Sequence, residues 1–149
     1  MGVQVYAFDK RPEEQLGSVG IALKEQGVTL FCGEDYMEHL CGDWIIKTPG
    51  MRYDHPALEA ARKRGSVITS EMELFFEYCP CPIIAVTGSD GKTTTTSLIY
   101  EMLSRTDKKV HLGGNIGFPL FCRLKEISKD DLVVAELSSF QLHTLQKSP

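Results

Sequence analysis

Between residues 83 and 104 the chain runs from Ile83-Ile84-Ala85-Val86-Thr87 through Gly88-Ser89-Asp90-Gly91 into Lys92-Thr93-Thr94-Thr95 and an apolar-periodic stretch. This segment constrains the fold more than any other. The β-branched run is too continuous for a strand with one wet face, so residues 83–87 are expected to be buried on both sides in a parallel sheet. Thr95, Leu98, Ile99, Met102 and Leu103 recur at helical spacing, which predicts a helix over 92–104. A loop of small residues joining such a strand to such a helix points successive N–H groups inward, and the positive end of the helix dipole stands at its mouth. That is a phosphate cradle. Gly88 and Gly91 supply backbone freedom where a Cβ would force strain.

The chemistry follows from the residue types. Gly88, Ser89, Asp90, Gly91, Lys92, Thr93 and Thr94 are read as a loop that holds the phosphates of a nucleotide, which the resemblance given below implies to be ATP. Lys92 neutralises the β and γ phosphates, and the Thr93 hydroxyl reaches Mg²⁺. The loop is a shorter variant of the common eight-residue pattern, because Val86 stands where that pattern has its first glycine. Asp90 is electrostatically unhelpful beside an anion, so its side chain is expected to turn outward and bond to the local backbone.

A metal held by one hydroxyl needs a carboxylate across the site, and open α/β sheets gather their ligands at the carboxyl ends of neighbouring strands. Glu136 is the only acidic residue in the apolar stretch 132–137. Burying it without a partner is costly, and Mg²⁺ offsets that cost; a buried salt bridge is the competing account. Asn115, in Gly113-Gly114-Asn115-Ile116-Gly117, follows the short strand at 110–112 and can line the same cleft. Ser138 and Gln141 follow Glu136 as groups able to orient an oxygen-rich substrate, and Ser138 is equally suited to cap a helix.

Elsewhere the signals alternate between strand and helix. Strands are expected at 3–8, 28–32, 44–46, 66–69, 110–112 and 132–137, and helices at 13–26, 56–64 and 71–78, with Gly27 and Gly65 as helix stops. The order implies an α/β protein with parallel sheets. Cys79-Pro80-Cys81-Pro82 marks a boundary. Residues 1–81 hold 8 basic and 13 acidic side chains and residues 82–149 hold 8 and 7, so the glycine loop sits in the more basic section. Two domains are therefore expected, 1–81 and 82–149.

The overall net charge of -4 leaves no broad basic surface for nucleic acid. No apolar run approaches the roughly 20 residues of a bilayer span, and the first residues lack a secretory pattern, which together predict no membrane association and a cytoplasmic protein. Five cysteines in such a chain are read as reduced thiols, and the C-x-C at 79–81 lacks the second ligand pair of a zinc site.

The segments TGSDGKTTTT (87–96), HLGGNIG (111–117) and LVVAELSSFQL (132–142), in this order and spacing, resemble the Mur ligases. TPGM (48–51), HPALEAA (55–61) and SEMELFF (70–76) extend the resemblance along nearly the whole chain. It implies a Rossmann-like, UDP-substrate-binding N-terminal domain whose first strand is missing, followed by part of a P-loop, parallel-sheet, ATP-binding central domain. It also implies an ATP-dependent amide ligase of peptidoglycan synthesis. Such an enzyme activates the carboxylate of UDP-N-acetylmuramoyl-L-alanine as an acyl phosphate for attack by an amino acid, and the ELSSFQL segment favours the D-glutamate-adding branch. Carried over by position, Lys92 and Glu136 are catalytic and Thr93 and Glu136 bind Mg²⁺. Asn115, Ser138 and Gln141 contact the UDP-muramoyl substrate. Asp9 and Arg11 resemble the strand-end residues around uracil, and Thr48, Pro49 and Gly50 the loop near the nucleotide sugar.

Against the family pattern, a first strand with its glycine-rich turn, a downstream histidine segment with its modified lysine and the C-terminal domain have no counterpart in the sequence. His143 stands where relatives commonly have Glu. A segment of this kind is expected to be inactive alone and to self-associate through unpaired sheet edges. Two other readings fit the same residues: a non-catalytic nucleotide or UDP-sugar binding module, and a related Mur or folylpolyglutamate-type ligase.

Overall fold

The computed structural model describes residues 2–142 and 145. Contacts divide the chain into two compact units, one of residues 1–45 and 53–68, the other of residues 46–52 and 69–149.

In the first unit, β1 (Tyr6–Asp9) pairs in parallel with β2 (Thr29–Cys32), with Tyr6 opposite Thr29 and Asp9 opposite Cys32. A short 3-10 turn (Glu13–Leu16) and α1 (Gly17–Glu25) connect them, and the helix stops before Gly27 at φ +80°. The 3-10 turn replaces the first part of the helix expected over 13–26, because Gly17 breaks the path at φ +54°. Phe8 stacks on Phe31 at 5.2 Å, and Phe31 on His39 at 5.2 Å, which fixes the pairing of the two strands. α2 (Pro56–Lys63) begins with proline in its first turn and with His55 as cap, its ring nitrogen accepting from the Ala57 N–H at 3.2 Å. Its Leu58 and Ala61 are fully buried.

β3 (Trp44–Lys47) and β4 (Val67–Ser70) form a second two-stranded sheet. Ser70 then caps α3 (Glu71–Tyr78), its hydroxyl accepting from the Glu73 N–H at 3.2 Å.

The sheet of the second unit has three parallel strands in the order β5 (Ile83–Val86), β7 (Leu132–Glu136), β6 (Val110–Gly114). α4 (Lys92–Leu103) follows β5 and packs on all three strands. Val133, Val134, Ala135 and Leu137 are fully buried, as expected of a central strand. β5 departs from expectation: it is only half-buried along its length, because it lies at an edge of the sheet and β7 takes the centre. α4 also departs. Its buried side chain is Thr96, whose hydroxyl donates to the Lys92 carbonyl at 2.7 Å, while Leu98 and Met102 are 59% and 71% exposed. The helix meets the sheet along the face of Thr96, Ile99 and Leu103, so only part of the apolar stripe is used. Met72, Phe75, Leu120, Ile127, Val133 and Leu137 form the core of this unit, which a 3-10 segment (Phe121–Glu126) helps to close. A last short helix, α5 (Ser139–Leu142), follows β7. His143 lies outside the described residues. Among those described, no helix is long and apolar enough to cross a membrane.

Candidate functional site

Parallel register brings three strand ends level. Val86 of β5 stands opposite Glu136 of β7, and Gly114 of β6 stands opposite Glu136 from the other side. The loop 87–91 and the turn 115–117 therefore leave the same edge of the sheet on either flank of Glu136.

The turn approaches closely enough to leave no room for a side chain at Gly114. This residue has φ +98°, and a Cβ there would lie 2.2 Å from the Glu136 carbonyl oxygen. At Gly113 a Cβ would lie 2.5 Å from Leu120 Cγ. The glycines thus let Asn115 meet the end of β7 twice. Its N–H donates to the Glu136 carbonyl at 2.8 Å, and its Nδ2 donates to Glu136 Oε1 at 3.2 Å.

Glu136 is 2% exposed, and its other carboxylate oxygen, Oε2, is buried without a hydrogen-bond partner among the described residues. Leaving a charged acceptor unmade in such a place costs about 1–3 kcal/mol or more. No basic side chain pairs with it there, so the salt-bridge account of its burial does not hold among the described residues. A carboxylate with one oxygen held by an amide and the other bare suits a hard cation.

Across from it, Gly88 (φ +146°) and Gly91 (φ +74°) shape the loop, and Gly91 begins α4 with no side chain capping the first-turn amides. Lys92 curls back over the loop, its Nζ donating to the carbonyls of Gly88 at 2.7 Å and Ser89 at 3.1 Å. Ser89, Asp90, Thr93 and Thr94 are exposed. The Asp90 side chain makes no hydrogen bond to a described residue, contrary to the local bond expected of it; the Lys92 ammonium ties the loop together instead.

Ser138 and Gln141 come together as a reciprocal cap of α5. Gln141 Oε1 accepts from the Ser138 N–H at 2.8 Å and from its hydroxyl at 3.0 Å, while Ser138 Oγ accepts from the Gln141 N–H at 3.3 Å. No cluster of three or more His, Cys, Asp or Glu side chains suited to a metal occurs among the described residues, so a cation at Glu136 would draw its other ligands from hydroxyls, phosphates and water.

In the first unit, Asp9 and Arg11 form a fork. Asp9 Oδ1 accepts from the Arg11 N–H at 2.8 Å and Nε at 3.0 Å, and Oδ2 accepts from Nη2 at 2.8 Å. Those hydrogen bonds hold the Asp9 carboxyl down to about 2. Thr48, Pro49 and Gly50 are exposed in a turn closed by the Met51 N–H on the Thr48 carbonyl at 3.1 Å. Buried Lys47 donates to the carbonyls of Thr48 at 3.4 Å and Met51 at 3.1 Å, a tie the sequence reading missed. A lysine ending an alternating strand next to a Pro-Gly turn was its only signal.

Residues 86–148 match the Mur ligase middle domain. Over its whole length the chain is 53% identical to the UDP-N-acetylmuramoylalanine--D-glutamate ligase of Clostridium botulinum (strain Kyoto / Type A2), covering 33% of that protein. It is 51% identical across 99% of its length to the protein of the same name from Clostridium novyi (strain NT), covering 32% of it. The chain thus spans about a third of the length of these relatives. The strand-end loop, the buried glutamate and the glycine turn all lie within the region that matches the Mur ligase middle domain.

Proposed function

We propose that the edge formed by the loop 87–91, Thr93 and Glu136 binds the triphosphate of ATP with Mg²⁺, within a protein that joins D-glutamate to UDP-N-acetylmuramoyl-L-alanine through an acyl phosphate. The observation that carries this reading is the bare, buried Oε2 of Glu136 beside a glycine loop whose helix start has no side-chain cap. The residues suit the metal: Glu136 offers an oxygen without a competing donor, and the Thr93 hydroxyl is exposed in the first turn of α4. When bound, Mg²⁺ supplies charge neutralisation at the phosphates. Lys92 then exchanges its two loop carbonyls for phosphate oxygens, a trade of neutral acceptors for charged ones. Asn115 keeps the Glu136 carboxylate oriented and retains a second amide proton for substrate. Ser138 and Gln141, already bonded to each other, present the rim of the same edge to the muramoyl substrate.

Residues 1–81 are proposed as the UDP-binding part, Rossmann-like in plan, and 82–149 as the ATP-binding part. Asp9 and Arg11 would meet the uracil and Thr48, Pro49 and Gly50 the sugar diphosphate. The names of these relatives, with half of all positions identical along the chain, support the choice of substrates.

Isothermal titration of the chain with a non-hydrolysable ATP analogue and Mg²⁺ tests the loop. Lys92→Ala is expected to weaken binding by about 2 kcal/mol, roughly 30-fold, with an unchanged melting temperature. Equal affinity in the two proteins would remove the loop from the account.

A further inference from the structure

Away from the strand-end edge, the chain carries a second group of nucleophilic side chains, in the turn Cys79-Pro80-Cys81 between α3 and β5. The Cys79 N–H closes the end of α3 on the Phe75 carbonyl at 2.8 Å. Its thiol lies 3.6 Å from the Cys81 carbonyl oxygen, and the two sulfurs are 3.8 Å apart. Residues two apart in a strand present their side chains on the same face but about two rises away, too far for sulfurs to touch. Here the chain is leaving a helix, and the fixed φ of Pro80 holds the turn in which the thiols meet.

The two cysteines differ in access. Cys79 is half-buried beside an exposed Pro80, whereas Cys81 is 8% exposed and belongs to the core of Phe75 and Val133. Burial, and then the adjacent Cys79, push the Cys81 thiol up to about 12. Cys79 is therefore the sulfur that meets solutes first, and Cys81 the one held in reserve behind it.

We propose that Cys79 and Cys81 are a redox-active dithiol, a modification site oxidised to an intramolecular disulfide by small-molecule disulfides. In the first step the Cys79 thiolate attacks one sulfur of the oxidant, forming a mixed disulfide and releasing one thiolate. In the second, Cys81 loses its proton to solvent and attacks Cys79 Sγ, breaking the mixed disulfide and releasing the second thiolate. The cysteine pair loses two electrons and two protons, and the oxidant becomes two thiols. The sulfurs must close from 3.8 Å to about 2.05 Å, a movement within the reach of side-chain torsions. A ring spanning only three residues is strained, so the bond is readily reversed by thiols.

The test uses the full chain, fully reduced, then exposed to oxidised glutathione, alkylated and digested with trypsin. Peptide 65–92 contains Cys79 and Cys81 and no other cysteine, and peptide 110–123 contains exposed Cys122 alone as an internal control. Peptide 65–92 is expected to lose two hydrogens and carry no glutathione, while 110–123 gains a glutathione adduct. In Cys81→Ser the adduct should accumulate on Cys79, and in Cys79→Ser peptide 65–92 should stay unmodified. A wild-type peptide 65–92 that stays reduced, or that holds glutathione on Cys79, while 110–123 is modified overturns the proposal. Both outcomes are read without nucleotide, so neither bears on the ATP site.

Discussion

At the scale of single residues, Glu136 organises the strand-end edge, and its surroundings are built by what glycine omits. Gly114 touches the Glu136 backbone where any Cβ would collide, and Asn115 follows at once to hold one carboxylate oxygen. Gly114→Ala combines a backbone at φ +98° with a clash at 2.2 Å, so it is expected to destabilise the second unit by about 3 kcal/mol. Chemical denaturation measures this directly, and a loss below about 0.5 kcal/mol would show that the turn yields freely. By comparison Gly65, also at positive φ, has open space around it, so strain alone would act there.

Among the elements, the same sheet carries a second buried polar device at its opposite edge. His111 near the start of β6 meets Asp131 just before β7, Nε2 to Oδ2 at 2.8 Å, and Asp131 also accepts from the Ser128 N–H at 3.0 Å and hydroxyl at 2.8 Å. The His111 bond first, then those from Ser128, hold the Asp131 carboxyl well below the ordinary carboxylate range. A carboxyl depressed in the folded state contributes stability that is complete above its unfolded value near 4 and is lost as pH falls below it. Asp131→Asn should therefore lower the melting temperature at pH 7 and flatten its decline between about pH 4 and pH 2. Parallel acid melts of the two proteins decide the matter, and identical slopes would contradict it.

Much at this scale was legible in the sequence. α3 begins and ends where its capping serine and the following prolines put it, and Gly27 and Gly65 stop their helices. A single carboxylate in an apolar strand announced that Glu136 is buried. Facts set by pairing were not legible. That β5 is an edge strand, that α4 leaves Leu98 and Met102 exposed, and that Asn115 reaches Glu136 all depend on the order β5-β7-β6, which no local pattern encodes. The Lys47 and His111 bonds were hidden for the same reason, since lone polar residues in short strands carry no periodic signal.

For the molecule as a whole, apolar surface stands uncovered on α4 and beside the strand-end edge, where Phe118 and Phe140 are 70% and 68% exposed. Adjacent exposed Leu98 and Met102 give the helix a sticky stripe. Light scattering of the isolated chain is expected to report species larger than the 16.6 kDa monomer, with Leu98→Lys/Met102→Lys shifting the population back towards it. A wild-type chain that is wholly monomeric at high concentration would contradict this.

The strand-end edge itself is open to one direct measurement, electron paramagnetic resonance of Mn²⁺ titrated into the chain with a non-hydrolysable ATP analogue. Glu136→Gln keeps the shape of the side chain and its bond to Asn115 while removing the charge at the bare oxygen. The wild-type chain should bind Mn²⁺ in the presence of the nucleotide, and the variant should bind it at least roughly tenfold more weakly, about 1.4 kcal/mol. Equal Mn²⁺ binding by both proteins would mean that the buried carboxylate of Glu136 holds no metal.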